Sequence, residues 1–315
     1  MSSDMANENS FQISPDTQIA HLEYQVDDLA SMLAFYRDLL GFQLLENKDG
    51  QAKLSASGQA PSLLTLTERK GARRQPAFST GLYHTAFRFP GRKPLATTLL
   101  RIVAAGWPLQ GASDHRFSEA IYLADPEGNG IELYSDRPRS DWPDPNDALQ
   151  NGNLPLDLRK LLEEADQTAA QDGKIDPQTD IGHIHLQVSD LDATKAFYLN
   201  LLGLDVMMSL PTALFFSAGG YHHHVGANIW NSRNAPRRAE DMTGLRSFAF
   251  QILDEAGWLA LHERLQTSSR PLKAAERDGQ LGVTIEDQDG TVVELLTPET
   301  EAVRKTLASL QPASV

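Results

Sequence analysis

Two histidines and one glutamate in the first half of the chain are candidate metal ligands. His21 opens a predicted strand, His84 opens a later one, and Glu132 lies in the last strand of that half. Two neutral imidazoles and a carboxylate form the facial set that holds iron(II) and leaves positions open for O2 and a substrate. A single histidine at a strand start is more often a structural group, but three such residues at corresponding strand ends favour a metal site.

The chain contains an internal repeat. Residues 19–45 and 181–207 match at 12 of 27 positions when one segment is shifted by 162. The register persists, because GLYHTAF aligns with GLRSFAF and DPEGNGIELY aligns with DQDGTVVELL. Two homologous halves are therefore predicted, at 17–140 and 179–298.

Within each half the hydrophobic period alternates between that of strands and that of helices. IAHLEYQV alternates as a strand does, and apolar residues then recur at helical spacing from Leu29 to Leu40, before Gly41. Three short strand candidates follow, and the βαβββ order recurs from Gly81. The pattern predicts an α+β fold of four βαβββ units that form two open barrel-like domains, one in each half.

The second half carries a less complete set of ligands. His183 and Glu294 repeat the first histidine and the glutamate, but Ser247 replaces the second histidine. His185 shares the strand face of His183, and GGYHHHVGANIW places three more histidines on the predicted fourth strand: His222, His223 and His224. By pleat alternation at most two of these three point into one cavity. They predict either a second metal site, with His183, His224 and Glu294 as ligands, or a substrate-binding or acid/base cluster.

Three segments lie outside the repeat. Residues 1–16 are polar and acidic and are predicted to form a disordered tail. Residues 141–178 are predicted to form a proline-containing linker with one short helix beginning near Leu156. Residues 299–315 are predicted to form a last helix with a frayed end.

Composition excludes several classes of protein. The chain of 315 residues has 41% hydrophobic residues, as a globular protein has, and its formal net charge of −14 has the wrong sign for nucleic-acid binding. The absence of cysteine excludes disulfides, thiolate ligands and iron–sulfur clusters, and it fits a cytoplasmic location.

Motifs for other chemistries are missing from the sequence. No run approaches the roughly 20 apolar residues of a membrane span. No GxGxxG, GxxxxGK or G-x-S-x-G pattern occurs, so nucleotide cofactors and a serine nucleophile have no support. The sequence leaves homo-oligomer formation open.

Three fragments, in their order and spacing, resemble one known family. The family is the vicinal oxygen chelate superfamily, which includes glyoxalase I, bleomycin and fosfomycin resistance proteins and extradiol dioxygenases. Its first helix is similar to DDLASMLAFYRDLLGF, and its strand with the second histidine is similar to YHTAF. Its loop and strand with the glutamate are similar to DPEGNGIEL. The resemblance covers nearly the whole chain outside the tails and linker. It implies a divalent metal held by His21, His84 and Glu132, with Fe(II) expected and Mn(II), Ni(II) or Zn(II) as alternatives.

Residues 115–132, HRFSEAIYLADPEGNGIE, are similar to the extradiol dioxygenase signature. His115, Tyr122 and Glu132 fall at compatible spacings, whereas Ser113 departs from the signature, which prefers glycine, asparagine, threonine or an aliphatic residue there. The resemblance implies that His115 and Tyr122 position the substrate and move protons. For Tyr122, a core aromatic is the alternative.

The combined prediction is an extradiol ring-cleaving dioxygenase that takes a catechol-type aromatic and O2. A glyoxalase-like lyase or isomerase is the first alternative, although Thr65 stands where such an enzyme would carry glutamate or glutamine. A metal-free small-molecule-binding protein is the second alternative, and it would need empty ligand positions. The sequence does not select which half is active.

Overall fold

The computed structural model describes residues 11–143 and 153–313, and it contains four βαβββ units. Unit 1 comprises β1 (Gln18–Val26), α1 (Leu29–Leu33, continued as a π-helical turn, Ala34–Leu39), β2 (Gln43–Lys48), β3 (Gln51–Ser55) and β4 (Leu64–Glu68). Unit 2 comprises β5 (Gly81–Phe89), α2 (Arg92–Ala104), β6 (Leu109–Asp114), β7 (Ser118–Ala124) and β8 (Gly130–Asp136).

The second half repeats this order. After β9 (Leu154–Pro155), α3 (Leu158–Leu162) and α4 (Gln167–Gln171), unit 3 comprises β10 (Asp180–Gln187), α5 (Leu191–Lys195, continued over Ala196–Leu201), β11 (Asp205–Leu210), β12 (Ala213–Ser217) and β13 (Val225–Asn228). Unit 4 comprises β14 (Gly244–Gln251), α6 (Glu255–Gln266), β15 (Lys273–Arg277), β16 (Gln280–Glu286) and β17 (Val292–Pro298), and α7 (Glu301–Leu307) follows. The predicted α+β fold of four such units is confirmed.

Local signals explain where the first helix begins and ends. The Asp28 side chain accepts a hydrogen bond from the Ser31 amide at 3.1 Å, which satisfies one of the free N–H groups at the helix start. The chain then turns at Gly41, whose φ of +93° is a conformation that favours glycine. The helix buries Met32 and Phe35 against the sheet.

The sheets pair units from different halves. In unit 1, β1 lies between β4 and β14, and β14 in turn pairs with β17. In unit 2, β5 lies between β8 and β10, and β10 in turn pairs with β13. Units 1 and 4 therefore form one barrel, here called the 1/4 barrel, and units 2 and 3 form the other, the 2/3 barrel.

This pairing corrects the prediction that 17–140 and 179–298 each close a barrel of their own. In the repeat β1 corresponds to β10, and β5 corresponds to β14, so the corresponding strands present similar edges. The pattern within one half therefore does not select the partner strand. The selection is made by antiparallel contact between β1 and β14 and between β5 and β10.

The segments outside the units also pack against them. Ile13 is buried and its amide donates to the Gly203 carbonyl at 3.0 Å, so the predicted disordered tail is wrong for residues 11–16, while 1–10 lie outside the described residues. The linker forms α3 and α4, which pack on α2. None of the helices described here is long and apolar enough to cross a membrane.

Candidate metal centre

Three buried ligand-type side chains converge inside the 2/3 barrel. His84 on β5, Glu132 on β8 and His183 on β10 form this group, and each is less than 9% exposed. Glu132 Oε2 lies 3.1 Å from His84 Nε2 and 3.3 Å from His183 Nε2, and the two nitrogens are 3.4 Å apart. Within residues 11–143 and 153–313, no further histidine, aspartate or glutamate joins this group.

Strand register brings the three together. Ala86 on the central strand β5 is opposite Glu132 on one side and His183 on the other, and His84 lies two residues along the same face. The close contact of β5 with β8 needs Gly130, because a Cβ there would lie 2.2 Å from the Tyr83 carbonyl oxygen.

The turn that precedes Glu132 is fixed by Asp125. This carboxylate accepts hydrogen bonds from the Glu127 and Asn129 amides at 2.9 Å each, and the Tyr36 hydroxyl donates to it at 3.1 Å. Tyr36 belongs to α1 of the 1/4 barrel, so a contact between the barrels supports the strand that carries the glutamate.

His21 is not part of this group, which corrects the predicted set of His21, His84 and Glu132. It lies on β1 of the 1/4 barrel, where its Nε2 is 2.9 Å from Thr65 Oγ1 and 3.2 Å from Arg277 Nη1. His183, its equivalent in the repeat, takes its place because β10 and not β1 pairs with β5.

The donor set fits a divalent metal. Ligand atoms bound at about 2.1 Å and at right angles lie roughly 3 Å apart, close to the three observed separations. Burial lowers the pKa of His183 to about 4, so its imidazole is neutral near pH 7. Burial alone would raise the pKa of Glu132, but the imidazoles of His183 and His84 hold it well below its usual range. The group thus offers two nitrogens and one carboxylate.

Tyr122 and His115, the two residues of the signature-like segment, lie beside this group. The Tyr122 ring centroid is 5.8 Å from that of His84, and its hydroxyl is 2.6 Å from His115 Nε2. His115 Nδ1 is 2.9 Å from Asn153 Oδ1. Burial and the neighbouring Glu132 carboxylate raise the pKa of Tyr122, which keeps the phenol protonated.

The three consecutive histidines precede β13 rather than lying in it, so the prediction from pleat alternation does not apply. His223 packs its ring 4.0 Å from His183, and His222 contacts both His223 Nδ1 at 2.9 Å and Asp136 Oδ1 at 3.0 Å. His224 Nδ1 instead lies 3.0 Å from Ser217 Oγ.

The alternative second site of His183, His224 and Glu294 is not assembled. His183 belongs to the group in the 2/3 barrel, whereas Glu294 lies in the 1/4 barrel, where Arg277 donates to it at 2.7 and 2.9 Å. The correction has the same cause as that for His21, since β17 pairs with β14, and β14 pairs with β1 and not with β10.

Three aromatic side chains that were not predicted from the sequence, Tyr83, Trp230 and Phe215, surround His185 on one side of the centre. The rings of Tyr83, Trp230 and His185 lie 5.2 to 5.5 Å apart, and Phe215 is 5.6 Å from His185. Tyr83 is 39% and Trp230 48% exposed, so they form the rim of this side. In the sequence, the one indication that an aromatic side chain lies beside the centre was that Tyr83 directly precedes His84.

Comparison with known proteins agrees with this architecture. Residues 18–133 and 180–295 each match the family model described as the Glyoxalase/Bleomycin resistance protein/Dioxygenase superfamily. The chain belongs to this superfamily. The chain shares its fold with glyoxalase I of maize (Zea mays). The crystal structure of that protein superimposes with a TM-score of 0.54 and 16% sequence identity, covering 90% of this chain and 92% of the maize chain.

Two curated relatives of this superfamily member are dioxygenases. It is 45% identical over 237 residues to catechol-2,3-dioxygenase of Bacillus subtilis (strain 168), covering 74% of this chain and 82% of that protein. It is 28% identical over 121 residues to biphenyl-2,3-diol 1,2-dioxygenase 3 of Rhodococcus globerulus, covering 38% and 63%. The match to the Bacillus subtilis protein, which covers most of both chains, makes this protein an extradiol dioxygenase-type member of the superfamily.

Proposed function

We propose that the protein opens the ring of a catechol-type aromatic with O2, using Fe(II) held by His84, Glu132 and His183. The observation that carries the proposal is the convergence of these three donors, all ligand atoms lying within 4.8 Å of one another, beside Tyr122 and His115. An ion with three protein ligands supplies open positions for both substrate oxygens and O2, and its Lewis acidity favours the catecholate form.

Tyr122 and His115 would move the substrate proton. Because Asn153 Oδ1 accepts from His115 Nδ1, His115 Nε2 is the acceptor for the Tyr122 hydroxyl. A substrate hydroxyl at Tyr122 Oη would therefore pass its proton toward His115 Nε2.

The aromatic rim would hold the substrate ring. Tyr83, Trp230 and Phe215 offer apolar faces within a few ångströms of His185, which itself lies opposite His84. Ring packing of this kind is worth about 0.5 to 1.5 kcal/mol per pair beyond the burial of area. Because burial holds the pKa of His185 well below its usual value, this side chain would contact substrate as a neutral group.

The two alternatives have less support. A glyoxalase-like lyase or isomerase needs a further ligand on the fourth strand, but Gly226 holds the position in the 2/3 barrel that Thr65 holds in the 1/4 barrel. A metal-free binding protein has no need of three buried donors that point at one another.

The decisive experiment loads anaerobically purified protein separately with Fe(II), Mn(II), Ni(II) or Zn(II), adds catechol and then admits O2. Activity requires O2 uptake and a product heavier than catechol by one O2, with one carboxylate and one aldehyde, as an extradiol cut leaves. Two carboxylates, or no reaction with any metal, would contradict the proposal. A cytoplasmic location and a homo-oligomeric state remain predictions, to be checked by fractionation and by light scattering.

A further inference from the structure

The 1/4 barrel repeats the register of the metal centre. Opposite Ala249 lie His21 and Glu294, just as His183 and Glu132 lie opposite the alanine of β5 in the other barrel. The position of His84 is taken by Ser247, which pairs with Glu23.

Arg277 occupies the position in this barrel that corresponds to His115. The two residues are 162 positions apart, the shift of the internal repeat, and each precedes a residue with positive φ, Arg116 at 68° and Asp278 at 47°. The shared turn makes the correspondence structural as well as sequential. The arginine is longer and contacts Glu294 inside the barrel, whereas His115 contacts Tyr122 and Asn153.

The Arg277 guanidinium contacts three buried side chains of this interior, His21, Glu23 and Glu294. Its Nε and Nη2 donate to the two Glu294 oxygens at 2.9 and 2.7 Å, its Nη1 lies 3.2 Å from His21 Nε2, and Nη2 lies 3.5 Å from Glu23 Oε2. Ser247 Oγ donates to Glu294 at 2.8 Å. The donors are buried, with His21 1%, Glu23 9% and Glu294 5% exposed.

We infer that the guanidinium of Arg277 takes the place of the metal ion in the 1/4 barrel, which is thus a latent divalent-cation site closed by a side chain. A guanidinium is a permanent single cation with donors that match a carboxylate in a bidentate way. Its single positive charge offsets the charge of the Glu294 carboxylate without a metal, and Glu23 is shared with Arg246. Without the guanidinium, His21, Glu23 and Glu294 would offer one nitrogen and two carboxylate ligands. This set is suited to a hard ion such as Mn(II).

Two consequences can be measured. The parent chain binds one divalent ion, at the 2/3 barrel, and removal of the guanidinium creates a second site. Arg246 provides a matched control, because it also donates to Glu23, at 3.0 Å, but contacts neither His21 nor Glu294 in the described hydrogen bonds.

The test counts Mn(II) per chain by elemental analysis after dialysis, with Mn(II) spectra as a second readout. We expect one ion for the parent and Arg246→Ser, two for Arg277→Ser, none for Glu132→Ala, and one for the Glu132→Ala/Arg277→Ser double variant. Mn(II) should also raise the Tm of Arg277→Ser more than that of Arg246→Ser. One ion in Arg277→Ser, or none in the double variant, would overturn the inference.

If Arg277→Ser does not fold, the inference can still be tested with the parent chain and with His21→Ala. Two ions in the parent, or loss of the single ion in His21→Ala, would each overturn the inference without any Arg277 variant. Because these readouts count ions, a chain that cleaves no catechol but gives the expected counts separates this inference from the proposed function.

Discussion

The charge of the metal centre rests on one side chain. Glu132 is the only carboxylate among its three donors, and its Oε2 is the atom that both imidazole nitrogens approach. Its loss removes one ligand and the anion that offsets part of a divalent charge. His21 in the 1/4 barrel, and Tyr122 and His115 beside the centre, provide comparison variants for the loss of metal.

Glu132→Ala should therefore lose its iron, whereas His21→Ala should keep it. The first substitution removes a ligand, and the second changes a residue bonded to Thr65 and Arg277 in the 1/4 barrel. Iron per chain after anaerobic reconstitution and desalting measures both. Equal iron in Glu132→Ala and the parent, or loss in His21→Ala, would contradict the assignment.

Tyr122→Phe and His115→Gln should slow turnover without loss of iron. The pair shares a 2.6 Å hydrogen bond beside the centre, and removal of a group that transfers protons costs about 100- to 10000-fold in rate. Iron content and Tm should remain close to the parent values. If Tyr122 were only a packed core aromatic, Tyr122→Phe would keep its activity and lose about 1 kcal/mol of stability.

Metal-free protein should lose stability as the pH falls from about 6.5 to about 4. Burial lowers the pKa of His183 to about 4 in the folded state, against about 6.5 when unfolded, so the unfolded chain binds its proton first. The stabilising contribution is complete above pH 6.5 and is lost toward pH 4, by about 3 kcal/mol for this residue. Urea unfolding at pH 7 and pH 4.5 measures it. A His183→Gln variant with an unchanged pH slope would contradict the argument.

At the scale of elements, Gly182 on β10 allows the closest contact near the centre. A Cβ at this position would lie 1.6 Å from the Tyr134 hydroxyl. Tyr134 is fully buried, donates or accepts at 2.7 Å with Tyr221, and packs its ring 5.1 Å from that of His183. Tyr134 therefore cannot move aside without disturbing the ligand next to it.

Gly182→Ala should destabilise the protein by about 1 to 3 kcal/mol or more and weaken iron binding. Gly111→Ala on β6 is the matched control, because a Cβ there meets nothing within 4 Å. Denaturant unfolding and iron content distinguish the two variants. Equal stability and iron in both would show that Tyr134 does not constrain β10.

Element order was predictable from the sequence, but the placement of the three consecutive histidines was not. The strand and helix periods of each unit follow from the alternation of apolar residues, and IAHLEYQV is β1 as expected. The histidines lie after Gly219 and Gly220, both with positive φ, so the chain turns before β13 begins. A short polar run beside paired glycines carries no period that separates a loop from a strand.

At the scale of the whole molecule, the centre draws its ligands from both halves. His84 and Glu132 come from the first half and His183 from the second. The sequence predicted two of the three residues of this group, His84 and Glu132, and the repeat offered both His21 and His183 as the second histidine. It could not choose between them, since that choice depends on which homologous edge pairs with β5.

A chain divided between residues 143 and 153 should bind iron only when both halves are present. Each half alone lacks the strand that closes either barrel, because β1 pairs with β14 and β5 with β10. We expect little iron in either purified half and recovery toward one ion per pair after co-expression. A first half that alone retains one ion would contradict the crossed pairing.

The crossed pairing also sets an order of assembly during synthesis. His21 and Ala249 face each other across β1 and β14 although they are 228 positions apart, the difference between 249 and 21. At about 5 to 20 residues per second, the ribosome delivers β14 roughly ten to fifty seconds after β1. The 2/3 barrel, by contrast, is built from contiguous residues and is complete once β13 emerges. The nascent chain thus contains a complete 2/3 barrel while the edge of β1 that pairs with β14 is still unpaired. Premature association between nascent chains would begin at that edge.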